Sequence, residues 1–123
     1  MSIVRTDFGV LYEVTAGTTK TLEATMTDPD TGEAQDMSDT DIFATGIVKI
    51  FKPDYTTAIG SDMAINFGDP ADRLAGLIKF TVSGTDQATI ANAGNWIGEI
   101  EISNTTPVVV NQKQFNINII MSK

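Results

Sequence analysis

The chain has 123 residues, no cysteine and no histidine, and its sixteen acidic residues against eight basic ones give a formal charge of −8. That length suffices to bury roughly two thirds of the unfolded surface around one core without a metal or disulfide staple. The missing residue types exclude a disulfide framework, thiol nucleophiles, thiolate or imidazole metal sites and any histidine-based triad, and a chain with no basic cluster gives a phosphate backbone nothing to bind.

Met1 to Asp7 lacks the apolar stretch and cleavage site of a secretory signal, and no apolar run approaches the ~20 residues of a membrane span. These first seven residues read as an arm in front of a single domain spanning 1–123. Phe8 to Thr15 is apolar enough for a strand, and Ala16-Gly17-Thr18-Thr19 is a tight turn. Lys20 to Thr27 alternates, with Leu22, Ala24 and Met26 inward, and stops at the hairpin-type turn Asp28-Pro29-Asp30-Thr31-Gly32. Residues 28 to 41 carry six carboxylates and are expected as a solvated loop, with Met37 returning to the core.

Ile47 to Phe51 is the next strand, with Val48 and Ile50 inward, and Pro53 to Thr56 closes it. Asp62 to Phe67 is a short strand that buries Ile65 with Met63 or Phe67, and Gly68 to Arg73 is a loop. The clearest pattern follows. Ile78, Phe80 and Val82 alternate with Lys79, Thr81 and Ser83. Trp96, Gly98, Ile100 and Ile102 alternate with Ile97, Glu99 and Glu101. A two-residue period means one buried and one wet face.

Between these strands Gly84 to Gly94 has room for one helical turn near 85–91, with Thr85 or Asp86 as its N-cap, as where one sheet crosses to another. Asn104 to Pro107 is a turn, Val108 to Val110 an edge, and Gln114 to Met121 the last strand, with Phe115, Ile117, Ile119 and Met121 on one face. Seven to nine strands without an internal repeat predict an all-β fold, an antiparallel sandwich of the immunoglobulin-like type. Its expected core is Leu22, Met26, Val48, Ile50, Ile78, Phe80, Val82, Trp96, Ile100, Ile102, Phe115, Ile117 and Ile119.

Candidate chemistry is sparse. Asp28-Pro29-Asp30-Thr31-Gly32-Glu33 resembles the start of a calcium loop, but it lacks a third ligand before its glycine and Pro29 stiffens it, so the turn reading stands and no metal or cofactor is expected. Asp36, Asp39 and Asp41 add local negative charge suited to a weakly held cation or a basic patch on a neighbouring subunit. Glu99 and Glu101 share a strand face ~7 Å apart, with no cleft, no histidine and no reason for a raised pKa; they read as wet surface.

No catalytic residue is expected, and the chain reads as a non-enzyme. Trp96, Tyr12 and Tyr55 could make a sugar platform, although most of the nine aromatics are needed inside. The contact candidates are Ile3, Val4, Phe8, Val10, Leu11 and Tyr12 near the N-terminus, Tyr55 in its turn, and Ile97 and Ile120 as apolar residues on outward faces. Phe8 to Val14 is either the first strand of its own sheet or an arm added to a neighbour's sheet.

The order of motifs resembles the N-terminal immunoglobulin-like domain of phage baseplate upper proteins and related small phage virion proteins. The similarity runs over about residues 17 to 120: an alternating strand at Thr19 to Asp28, a turn at Asp30 to Gly32, the step Asp36-Met37-Ser38, a strand at Gly46 to Lys52, and a closing series at Gly76 to Phe80, Ser83 to Asp86 and Ala93 to Trp96. Ala93 to Gly98 also resembles the start of an immunoglobulin F strand, with Trp96 in the corner tyrosine's place and Gly98 in the second cysteine's.

The resemblance implies a virion component that packs against other virion proteins or copies of itself, in a tail or baseplate, within the virion and in the host cytoplasm during assembly. Baseplate relatives continue into a longer shaft, so capsid decoration stands as the alternative, and recognition of a host glycan as the third reading. No nucleic-acid or membrane partner is expected.

Overall fold

The computed structural model describes residues 11–51 and 57–121. The expectations for the arm, for Ile3, Val4, Phe8 and Val10, and for Tyr55 lie outside the described residues.

Within them the fold is all-β. β1 (Leu11–Thr15), β7 (Val109–Ile120), β6 (Gly94–Ser103), β3 (Thr45–Phe51) and β4 (Met63–Ala64) form a five-stranded sheet in that order; β2 (Lys20–Thr25) and β5 (Leu77–Val82) form a two-stranded one. One short helix, α1 (Pro70–Leu74), precedes β5. The chain passes from β5 in the small sheet to β6 in the large one, so the segment between those two strongly alternating strands does cross between sheets.

The first and last strands pair in parallel, Leu11 opposite Asn116 and Thr15 opposite Ile120. The large sheet is therefore mixed, a correction to the antiparallel expectation. Parallel neighbours need a long intervening connection, and nearly the whole chain lies between these two. A second correction concerns the end of the chain: Val109 to Ile120 is one continuous strand, with its irregularity opposite Ile102 and Ser103. Met121 falls beyond that strand and is 56% exposed, not inward.

The core between the sheets takes Leu22, Ala24 and Met26 from β2 and its continuation, Val48 and Ile50 from β3, and Ile78, Phe80 and Val82 from β5. β6 supplies Trp96, Ile100 and Ile102, and β7 supplies Phe115, Ile117 and Ile119. Met37 is fully buried within the acidic loop. Met63 and Phe67 both enter the core, while Ile65 is only partly buried and lies over Gly46, where a Cβ would collide with it. Gly98 does the same for Phe115: a side chain there would overlap the ring.

Two connections depart from the sequence reading. Gly68 to Arg73 is not a plain loop. Asp69 caps α1, its carboxylate accepting from the Asp72 amide at 2.9 Å while the Asp72 carboxylate accepts from the Asp69 amide at 3.3 Å, and Pro70 opens the first turn. In the crossing segment the helical turn is a 3-10 turn at Ile90–Asn92, and neither Thr85 nor Asp86 caps it. Ser83 organises the first bend instead: its carbonyl accepts the amides of Asp86, Gln87 and Ala88, and its hydroxyl accepts from Thr85 at 3.2 Å.

Gln87, 3% exposed, locks this bend to its surroundings. Its side-chain oxygen accepts from the Ser83 amide at 2.8 Å and its amide donates to the Ser61 carbonyl at 2.7 Å. Asn92 donates to the Gln87 carbonyl and accepts at its own carbonyl from the Trp96 indole at 2.8 Å. The buried indole N–H is thus satisfied by the crossing segment itself.

Candidate functional site

The two sheets join differently along their two sides. On one side the main chain itself bridges them: Asn66, just past β4, exchanges two backbone hydrogen bonds with Lys79 of β5, at 2.8 and 3.0 Å. On the other side β2 faces β1 and β7, and side chains make the closure. The carbonyls of Glu23, Thr25 and Thr27, which point away from β5, accept in turn from the Tyr12 hydroxyl, from Lys113 Nζ at 2.7 Å and from Asn111 Nδ2 at 3.3 Å. This is a seam, closed by three side chains where a ladder would otherwise run.

Tyr12 was expected as a contact residue and is a seam residue instead. Its ring stands edge-on to Phe80 and Phe115, centroids 6.1 and 5.2 Å away, so it joins the aromatic cluster that ties the sheets together. Burial, then the Glu23 carboxylate, raises its pKa above the ordinary 10.0. Burial lowers the pKa of Lys113 below 10.5. Asn111 is one of two buried polar side chains among the described residues, and nothing in its sequence context separates it from the other polar residues of the last strand.

The outer face of the large sheet carries the remaining candidates. Ile97 points outward as expected yet is only 8% exposed, flanked in register by Phe51 on β3 and Asn116 on β7, which withdraws it as a contact residue. Glu99 and Glu101 share this face, with Lys49 opposite Glu99 on β3 and Gln114 opposite it on β7. Partial burial first, then the neighbouring Glu101, raises the Glu99 pKa above 4.5, against the expectation of an ordinary carboxylate.

The acidic loop spends its carboxylates on its own backbone. Asp28 accepts from the Asp30 amide, Asp36 from the Ser38 amide and Asp39 from the Asp41 amide. The Ser38 hydrogen bonds hold the Asp36 carboxyl below its usual range. No cluster of three or more acidic side chains fit to hold a metal occurs among the described residues.

Exposed apolar side chains recur on β1 and at the two ends of β7. Leu11 is 59% exposed on β1 and Ile120 is exposed at the end of β7. The sequence reading missed Val108 and Val109 at the start of β7 and Met121 after it, all exposed. Their signal was the apolar run Val108-Val109-Val110 directly after a turn, too short to assign to a face. Comparison with protein-family models, with curated proteins and with solved structures found no match.

Proposed function

We propose that the protein is a non-enzymatic phage structural subunit with an immunoglobulin-like β-sandwich, a tail or baseplate component that works by contacts with neighbouring subunits. The observation that carries the contact role is the β1/β7 edge. Five of the eight large apolar side chains most exposed among the described residues, namely Leu11, Val108, Val109, Ile120 and Met121, lie on these two strands or next to them. Exposed apolar side chains along and beside an edge strand invite another subunit. The virion setting rests on the resemblance in motif order, and the two sheets around one core are compatible with it. In a multi-copy assembly a modest interface of this kind is multiplied by symmetry.

Sedimentation of the purified chain at micromolar concentration, with and without Leu11→Ser and Val109→Ser, tests the contact role. Self-association in the parent chain that the two substitutions weaken at least tenfold is the expected result. A monomer that also binds no other virion protein would overturn it. Fitting the domain into a cryo-EM map of the particle then assigns the position: density on the tail or baseplate supports the reading, and density on the head surface transfers the protein to capsid decoration.

A further inference from the structure

We propose that the two ends of the fold are complementary docking faces and that each takes the opposite end of a second copy of this chain, so that copies stack head to tail. Such stacking rests on the subunit-contact reading above and names its partner. β7 runs twelve residues, about 40 Å, from Val109 to Ile120. Other elements gather at each of its ends. At the first, Val109 stands in register with Ser103 and Ser103 with Thr45, while the Ala44 amide donates to the Ser103 carbonyl and the Thr105 amide to the Asp41 carbonyl. Arg73 ties α1 to the same place through the Met37 and Phe43 carbonyls. At the second, Gly94 pairs with Ile119 and Thr15 with Ile120, and the Gly17 amide donates to the Ala88 carbonyl just before the 3-10 turn Ile90–Asn92.

The exposed apolar side chains divide between these ends. Ile42, Leu74, Val108 and Val109 lie at the first, Ile90, Ile120 and Met121 at the second, and Leu11 stands between them opposite Asn116. Apolar side chains grouped in this way mark contact faces. Ends about 40 Å apart cannot cover each other within one molecule.

Charge decides which end meets which. The Val109 end carries the acidic loop, whose Pro29 shares a cleft with Val109 and Val110, and the cap of α1. These segments hold six carboxylates from Asp28 to Asp41, then Asp69 and Asp72, against one cation, Arg73. The rest of the sequence is nearly balanced, with eight acidic residues against seven basic. Hydrogen bonds from the Asp30, Ser38 and Asp41 amides fix three of the loop carboxylates in place. Two such ends brought face to face would repel each other. Pairing through the Ile120 ends alone would leave Ile42, Leu74, Val108 and Val109 bare. Opposite ends stacked together cover both groups. They also bring Lys20, exposed at the start of β2 and paired with no carboxylate among the described residues, toward the acidic end of the next copy. A contact between unlike ends is heterologous and repeats into a ring or a filament.

Blocking one end at a time tests the stacking. In the full chain, one variant carries Ile42→Glu with Leu74→Glu and the other Ile90→Glu with Met121→Glu, all at exposed positions outside the core. Sedimentation velocity and native mass spectrometry, from micromolar to submillimolar concentration, then compare the parent, each variant and their mixture. The parent should grow beyond the dimer as concentration rises, and each variant alone should self-associate at least tenfold more weakly. An equimolar mixture should form a one-to-one heterodimer and nothing longer, because each variant keeps the end that the other has lost. That recovery also shows that both variants are folded. A parent that stops at the dimer, a variant that associates alone as the parent does, or a mixture that stays monomeric while the parent associates would each overturn the proposal. The subunit-contact reading would survive all three, with its contact placed elsewhere. A parent that is monomeric throughout overturns the stacking as well, and the contact reading then stands or falls on whether the chain binds another virion protein.

Discussion

Glu99 shows how far a residue's neighbours can move it from what its spacing suggests. Alternation alone makes it a wet-face carboxylate, and it does face outward; what the spacing could not reveal is that β3 and β7 flank it with Lys49 and Gln114 while Glu101 shares its face. Its folded pKa lies above 4.5, with partial burial the larger cause and Glu101 the smaller. The folded chain therefore binds this proton more tightly than the unfolded chain. The ionised form costs stability at every pH above the folded pKa, and the cost disappears as pH falls below 4.5. Glu99→Gln should raise the urea midpoint at pH 7 by an amount worth under about 1 kcal/mol, the scale of a partly solvated charge, since a glutamine oxygen can still accept from Gln114. The gain should shrink toward zero near pH 4. A variant less stable than the parent at pH 7 would show that Gln114 and Lys49 outweigh both causes, and a gain independent of pH would show that it does not come from the Glu99 charge.

At the level of elements, strands were legible where one face is wet, because burial on one side writes a two-residue period into β2, β5, β6 and the second half of β7. α1 was not, for a physical reason: with five residues it has no room for an apolar period, and none of its residues is buried. Its signal was chemical, the series Asp69, Pro70 and Asp72 at the positions where a cap, a first-turn proline and a reciprocal carboxylate belong. The cap matters beyond its own turn because α1 aims Arg73, which donates to the Met37 carbonyl at 2.9 Å and the Phe43 carbonyl at 3.2 Å and lies over the Phe67 ring. Asp69→Ala removes the acceptor for the Asp72 amide and should cost about 1 kcal/mol in chemical denaturation. Because Arg73 clamps the acidic loop, local exchange of the Met37 and Phe43 amides should rise with it. An unchanged midpoint would mean that the Arg73 contacts hold the helix without its cap.

For the molecule as a whole, the seam was the part no local pattern could foretell, since it joins β1 and β7, at opposite ends of the chain, to the edge of β2. Register across such distances depends on which strands become neighbours, and alternation fixes faces but not partners. Two of the three side chains that close the seam titrate at alkaline pH in opposite senses. Tyr12 holds its proton above 10.0 in the fold, so the folded chain binds more protons than the unfolded one between 10.0 and the folded pKa, and stability falls as pH rises through that window. Lys113 gives up its proton below 10.5, so the folded chain binds fewer protons between its folded pKa and 10.5, and stability rises with pH there. The Lys113 effect should raise the parent's stability as pH approaches 10.0, and the Tyr12 effect should oppose it above 10.0. Tyr12→Phe keeps the ring against Phe80 and Phe115 but loses the hydrogen bond to Glu23, which should cost about 0.5–1.5 kcal/mol at pH 8. That deficit should narrow steadily above pH 10, where the parent pays for its phenolate and the variant has none. Lys113→Met should instead remove the rise below pH 10 and leave the loss above it. Urea midpoints of the three chains from pH 8 to 11 separate these effects, and parallel curves would mean that the seam opens locally before either group titrates, leaving the aromatic cluster alone to hold the sheets together.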